Sequence, residues 1–132
     1  MIVLIVEDEP IIAVNLALVL ESVGHVVLGP VRSKHEAIAL CEKCRPTVAL
    51  MDINLEGRSD GIELARILKG KDIPSVFLSA QHAQALRNQD AALGFIGKPY
   101  SAANVCDCLD VVATLLAGQA PPKDTGVLEV FR

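Results

Sequence analysis

The sequence has no tryptophan, one tyrosine and three phenylalanines among its 132 residues. Because 52% of the residues are nevertheless hydrophobic, the core is expected to be aliphatic. Excess positive charge is also missing, since 16 acidic residues outnumber 12 basic ones and give a formal net charge of −4. A chain of this sign repels phosphate backbones and anionic lipid, so neither nucleic acid nor a membrane is an expected partner.

Long apolar runs are missing as well, and no secretion leader is expected. The apolar run over residues 1–6 has no basic residue before it and stops at two acids, Glu7 and Asp8. No stretch approaches the roughly 20 apolar residues that a membrane helix needs. These absences predict a cytoplasmic protein, in which the four cysteines are expected to be free thiols.

Short apolar runs alternate along the chain with segments of helical period. This alternation is typical of βαβ units on a parallel sheet, and five repeats are predicted. The expected strands cover residues 2–6, 25–28, 47–51, 75–78 and 95–96, and Gly29-Pro30 is expected to end the second. The predicted fold is a doubly wound, flavodoxin-like α/β domain with a five-stranded parallel sheet in the order 2-1-3-4-5 and helices on both faces.

The predicted domain covers residues 1–118, and a tail follows at 119–132. Prolines and the lack of apolar period predict a spacer over residues 120–126, before an apolar segment at 127–131. This segment is predicted either to pack on the domain's own surface, which is favoured, or to add as an edge strand to a partner. The tail is too short for a DNA-binding or catalytic domain.

Polar side chains stand where the predicted strands end. Glu7 and Asp8 follow the first strand and Asp52 follows the third, while Ser79 and Lys98 follow the fourth and fifth. The carboxyl ends of parallel strands share one edge, where ligands bind at the switch point of strand order. Three carboxylates, a hydroxyl and an ammonium group are therefore expected to converge there.

Each of these residues also has a plainer interpretation when taken alone. Asp8 could cap the first helix and Glu7 could be a solvated acid, while Ser79 could close a turn and Lys98 could be a surface lysine. Asp52 differs, because a carboxylate at the mouth of a buried strand costs stability unless a cation pairs with it. Their joint occurrence favours phosphoryl transfer to an anionic Asp52, assisted by Mg²⁺ or Mn²⁺.

The chain resembles the receiver domain of two-component response regulators over residues 1–118. The motifs that carry the resemblance are LIVEDEP at 4–10, MDINL at 51–55, DGIEL at 60–64, LSA at 78–80 and FIGKP at 95–99. It implies a stand-alone, phosphorylation-dependent signalling switch. The phosphoryl group would come from a histidine kinase or a histidine phosphotransfer protein, and output would pass through contacts with a downstream protein target, with a homodimer as a further option.

The resemblance also implies roles for single residues. Asp52 would be the phosphoacceptor and, with Asp8 and the backbone carbonyl of Asn54, would bind the metal, while Glu7 would act on it through water. Lys98 and Ser79 would contact the phosphoryl group and not the unmodified aspartate. The Lys98-Pro99 bond matches one that is often cis in the family.

Two further pairs of residues are assigned by the resemblance. Ser79 and Phe95 would form the switch, with Phe95 turning inward when Ser79 moves toward the phosphoryl group. Asn54 and Gln81 would flank the path of the attacking water and tune dephosphorylation. The loop between Asp52 and Gly61 is one residue longer than the family's common pattern.

Other functions are weighed against the switch. A hydrolase of the haloacid dehalogenase type also forms an aspartyl-phosphate, but it usually carries an acid where this chain has Asn54, which cannot transfer a proton. A non-phosphorylated interaction module would not need the acid pair, Asp52 and Lys98. A zinc site is excluded, because Cys41 and Cys44 lie on the second predicted helix and Cys106 and Cys108 on the fifth, on opposite faces of the sheet.

Overall fold

A computed structural model of the protein describes residues 1–55 and 60–131. The strands are β1 (Ile2–Val6), β2 (Val26–Val31), β3 (Val48–Asp52), β4 (Ser75–Ser79), β5 (Gly94–Gly97) and β6 (Leu128–Val130). The helices are α1 (Pro10–Ser22), α2 (Lys34–Lys43), α3 (Asp60–Lys69), α4 (His82–Arg87) and α5 (Ala102–Leu116), with a short 3₁₀ turn at Gln89–Ala91.

The strands form one sheet in the order β2-β1-β3-β4-β5-β6. The first five are parallel and β6 runs antiparallel to β5. The predicted order 2-1-3-4-5 is therefore confirmed, and the tail extends it by one strand. Every residue of β3 and β4 is buried, which explains why these strands are almost continuously apolar rather than alternating.

Helices cover both faces of the sheet, and side chains of β1 alternate between them. Val3 and Ile5 pack into one hydrophobic cluster with α1 and α5. Leu4 and Val6 point to the other face, into a cluster with α2 and α3. The cysteine pairs divide in the same way, because those of α5 pack with the first cluster and Cys41 of α2 packs against the second, and all four are free.

The second strand is longer than predicted. Gly29-Pro30 was expected to end it, but β2 continues through this dipeptide to Val31. Proline lacks a backbone donor and is tolerated here because β2 is an edge strand whose pairing with β1 shifts register between Leu4 and Val6. The extension matters for the site, since the carbonyl of Val31 accepts a hydrogen bond from the backbone N–H of Glu7 at 2.9 Å.

The start of α3 packs directly behind the end of β3. The backbone N–H of Gly61 donates to the carbonyl of Ile53 at 2.9 Å. A Cβ atom at position 61 would overlap the carbonyl oxygen of Asp52 and lie 2.7 Å from the Cα of Ile53, so only glycine fits. The extra residue expected between Asp52 and Gly61 concerns a loop whose residues 56–59 lie outside the described part of the chain.

The apolar end of the tail packs on the domain's own sheet, which was the favoured alternative. Leu128 is 2% exposed and joins the cluster of α1 and α5. Without β6, the outer edge of β5 would present unpaired N–H and C=O groups, and β6 covers it. The domain boundary at residue 118 stays a prediction.

We expect a shortened chain ending at Gly118 to fold but to be less stable. All five parallel strands and all five helices precede this residue, whereas the loss of Leu128 alone removes a buried side chain worth roughly 1.5–3 kcal/mol. Urea unfolding of the shortened and full-length chains would measure the difference. Leu128→Ala should reproduce much of it and Val127→Ala, at a 47% exposed position, should not. An unfolded shortened chain would show that the tail belongs to the core.

Candidate functional site

The carboxyl edge of the sheet brings the predicted residues together. Asp52 is the last residue of β3 and Ser79 the last of β4, while Glu7 and Lys98 directly follow β1 and β5. Parallel pairing keeps these strand ends level, as when Ser79 pairs with Gly97. The expected convergence of carboxylates, hydroxyl and ammonium group on one edge is thus present in the fold.

Three carboxylates form a compact cluster at this edge. One oxygen from each of Glu7, Asp8 and Asp52 lies within 4.8 Å of the other two. Glu7 is fully buried, Asp52 is 7% exposed and Asp8 is partly exposed. Negative charges at this separation and burial repel one another strongly, so the arrangement requires a nearby cation.

Lys98 supplies positive charge to the cluster. Its Nζ lies 2.9 Å from Oε1 of Glu7 and 3.0 Å from Oδ2 of Asp52. The expectation that Lys98 avoids the unmodified aspartate is therefore wrong, because two buried carboxylates recruit the only ammonium group placed between them among the residues described. Burial alone lowers the pKa of Lys98, but hydrogen bonds to both acids outweigh it and raise the pKa above its usual range.

Glu7 is the least solvated acid of the cluster. Burial raises its pKa to about 7, against the opposing hydrogen bond from Lys98, and the charge of Asp52 adds to the rise. Its second oxygen, Oε2, is buried and has no hydrogen-bond partner within residues 1–55 and 60–131. A buried carboxylate oxygen without a partner, beside two further hard oxygen ligands, fits a divalent cation such as Mg²⁺.

We expect Glu7→Gln to stabilise the metal-free protein above pH 7. The folded-state pKa of Glu7 is raised from 4.5 to about 7, so its contribution to stability falls as the pH rises through that interval. The neutral amide avoids this loss, and the gain should be roughly 1–2 kcal/mol at alkaline pH and small near pH 5. Urea unfolding with a chelator at both pH values measures it. A variant less stable than the parent at alkaline pH would contradict the assignment.

The two oxygens of Asp52 are held by different partners. The backbone N–H of Asn54 donates to Oδ1 at 3.1 Å, and Lys98 binds Oδ2. Asn54 thus contacts Asp52 through its backbone nitrogen. Its carbonyl as a metal ligand and its side chain as a tuning group for dephosphorylation stay predictions.

Ser79 and Phe95 lie on neighbouring strands beside the cluster. Ser79 is 1% exposed, and its Oγ accepts a hydrogen bond from the backbone N–H of Gln81 at 2.9 Å. Phe95 was expected to turn inward when Ser79 moves, but it is already buried in the unmodified protein, with only 6% of its surface exposed. The reason is a pair of tertiary contacts, because β6 pairs with the backbone of Phe95 and His82 packs against its ring at 5.4 Å between centroids.

Sequence reasoning missed two residues near the site. The side chain of His82 stays mostly exposed, and its Nε2 lies 2.8 Å from Oε2 of Glu129, 47 residues away. Tyr100 follows the FIGKP motif and has a buried hydroxyl beside a cavity of about 500 Å³ that Lys98 also lines. Burial and the negative charge of Glu7 raise the pKa of Tyr100 to about 12. In the sequence, only the position of His82 directly after the Ser79 loop indicates that it lies near the site.

A doubly wound sheet with an acidic cluster and a lysine at its carboxyl edge indicates a receiver-type domain. The model of the family described as "Response regulator receiver domain" matches residues 3–110. The chain therefore belongs to the response regulator receiver family. Among the described residues, none of the helices combines the length and the apolar character that crossing a membrane requires.

Relatives of known name are regulators. The phyllosphere-induced regulator PhyR of Methylorubrum extorquens is 37% identical over 106 residues, which cover 78% of this chain and 40% of PhyR. The transcriptional regulatory protein PdtaR of Mycobacterium tuberculosis is 33% identical over 116 residues, covering 85% of this chain and 56% of PdtaR. The chain spans about half the length of these two relatives.

Solved structures of receiver domains have the same fold. A putative response regulator from Chloroflexus aurantiacus matches with a TM-score of 0.74 and 28% identity, over 88% of this chain and 97% of that one. The signal receiver domain of a modulated diguanylate cyclase from Desulfovibrio desulfuricans has the same TM-score and coverage with 32% identity. Both support the doubly wound arrangement described above.

Proposed function

We propose that the protein is a phosphorylation-dependent signalling switch whose phosphoacceptor is Asp52. The observation that carries the proposal is the position of the Asp52 carboxylate, at the mouth of β3 within a three-acid cluster and in contact with Lys98. The donor would be a phosphohistidine of a histidine kinase or a histidine phosphotransfer protein. A carboxylate oxygen of Asp52 would attack phosphorus, the phosphorus–nitrogen bond would break, and the departing imidazole would keep or gain the proton.

The residues around Asp52 would prepare it for this attack. Asn54 and Lys98 each hold one carboxylate oxygen, so the nucleophile is already oriented. Mg²⁺ or Mn²⁺, held by Asp8, Asp52 and the carbonyl of Asn54 with Glu7 acting through water, would neutralise charge on the transferring group. Lys98 would stay at the site and pair with a phosphoryl oxygen.

Ser79 and Phe95 would report the modification. Ser79 would donate a hydrogen bond to a phosphoryl oxygen, which requires its Oγ to turn from Gln81 toward Asp52. Phe95, on the neighbouring strand β5, would respond to this movement. Asn54 and Gln81, two residues beyond Asp52 and Ser79, would flank the attacking water and tune dephosphorylation. Output would pass through contacts with a downstream protein.

Intact-mass spectrometry tests the proposal. After incubation with a small-molecule phosphodonor and Mg²⁺, the full chain should gain one phosphoryl group, and a chelator should prevent the gain. No adduct under conditions that modify a known receiver domain would refute the function. Repeated turnover of a phosphomonoester, seen as phosphate released in excess over protein, would instead favour the hydrolase, which lacks support because Asn54 replaces the second acid.

A further inference from the structure

The strand β6 covers a part of the domain that the proposed switch would use. It pairs antiparallel with β5, with Glu129 opposite Phe95 and Leu128 opposite Ile96. Beyond the strand, the N–H of Phe131 donates to the carbonyl of Leu93 at 2.9 Å. The backbone edge next to Phe95 is therefore occupied by the chain's own tail.

The attachment of β6 is small enough to open locally. The strand has three residues, of which only Leu128 is fully buried, and Val127 before it is 47% exposed. Residues 119–127, which connect it to α5, contain no helix or strand and are mostly exposed. Segments with few buried apolar contacts open at a much lower free energy than the whole fold.

His82 links this strand to the loop that follows β4. Its Nε2–H donates to the Glu129 carboxylate at 2.8 Å, and its ring packs against that of Phe95. His82 thus contacts both β6 and the side chain that β6 helps to cover. It is also the first residue of α4, a helix of six residues whose N-terminus has no side-chain cap.

The start of α4 is tied to Ser79. The N–H of Gln81, the residue before His82, donates to the Ser79 Oγ at 2.9 Å. A rotation that turns this hydroxyl toward Asp52 removes the acceptor from Gln81. Because α4 is short and uncapped, it is then free to shift and to withdraw His82 from Glu129.

We propose that β6 is an autoinhibitory latch: it closes the edge of β5 while Ser79 Oγ holds Gln81, and it detaches when Ser79 turns to a phosphoryl group on Asp52. The proposal rests on the phosphorylation proposed above. The two orientations of the Ser79 hydroxyl are the two-state element that couples the site to the tail. Detachment exposes the edge of β5, which can pair with an extended segment of a partner protein.

Hydrogen exchange of the full chain tests the latch. Amides in the peptide covering residues 127–131 should exchange at least several times faster after phosphorylation, while those of β1 should not change. An adduct by intact mass with unchanged exchange in the tail would overturn the latch. A tail that exchanges as fast as an unstructured peptide before any donor is added would overturn it as well.

A second arm needs no phosphoryl group, so it separates failure of the latch from failure of the proposed function. Ser79→Ala removes the acceptor of Gln81 and should by itself speed exchange in residues 127–131 several times. Ser75→Ala is the matched control, since Ser75 is equally buried on the same strand and its Oγ has no partner among the described residues. No change in Ser79→Ala, or the same change in both variants, would overturn the coupling even if the parent takes up no phosphoryl group.

Discussion

Asp52→Ala is expected to take up no phosphoryl group under conditions that modify the parent chain completely. The carboxylate of Asp52 is the proposed nucleophile, and alanine offers no oxygen in its place. Of the other acids in the cluster, Glu7 is fully buried, bonded to Lys98 and raised in pKa, which weakens it as a substitute at neutral pH. Intact-mass spectrometry after incubation with a small-molecule phosphodonor and Mg²⁺ measures the result.

The control for this experiment is an acid far from the site. Asp107→Ala removes an exposed carboxylate from α5 and should be modified like the parent. The alanine variant at position 52 should still fold, because Lys98 keeps its bond to Glu7 at 2.9 Å. Stoichiometric modification of Asp52→Ala on any other residue would disprove the assignment of the acceptor.

Asp8→Asn is expected to slow phosphorylation by about 100-fold at a fixed Mg²⁺ concentration, because a bound metal supplies several kcal/mol of transition-state stabilisation and each 1.4 kcal/mol is a factor of ten. Asp8 contributes one of the three clustered carboxylate oxygens, and asparagine removes its charge without changing its size much. A titration of the phosphorylation rate with Mg²⁺ should show weaker binding of the metal.

The neighbouring acid provides a matched control. Glu9→Gln removes a charge one residue away, at an exposed side chain whose Oε1 lies 3.6 Å from Lys98 Nζ but which is not part of the three-acid cluster. It should leave the Mg²⁺ dependence close to that of the parent. Equal Mg²⁺ titrations for Asp8→Asn and the parent would show that Asp8 does not bind the metal.

The site combines features that disfavour folding with features that a phosphoacceptor needs. Burial and the charge of Asp52 oppose ionisation of Glu7, and Lys98 compensates in part through its hydrogen bonds to both acids and its positive charge. Such a cluster is costly in a metal-free protein and suited to binding a cation. This conflict can be measured as the increase in the free energy of unfolding that is expected for Glu7→Gln.

Much of the site could be predicted because strand ends are readable from the sequence. Apolar runs place Asp52 and Ser79 at the carboxyl ends of β3 and β4, and parallel pairing then brings these ends together without any knowledge of side-chain contacts. The cap of α2 is local in the same way, since the Ser33 side chain accepts a hydrogen bond from the backbone N–H of Glu36, three residues away.

The contacts that were missed join residues far apart in the chain. Lys98 binds Asp52 across 46 residues and His82 binds Glu129 across 47, and neither spacing carries a periodic signal. The continuation of β2 past Gly29-Pro30 was missed because local turn propensity predicted a stop, whereas an edge position in the sheet tolerates the proline.

The sequence by itself determined the five βα repeats and the set of groups at the carboxyl ends of their strands, because hydrophobic period and turn signals are local properties of the chain. Only the tertiary structure decided where the tail goes, which carboxylates Lys98 neutralises and why Phe95 is buried without a phosphoryl group. These outcomes depend on which open edge and which uncompensated charges remain after the five βα repeats have packed. An open strand edge is a template for pairing with other chains, and unpaired buried carboxylates cost stability, so β6 and Lys98 occupy the positions that remove both problems.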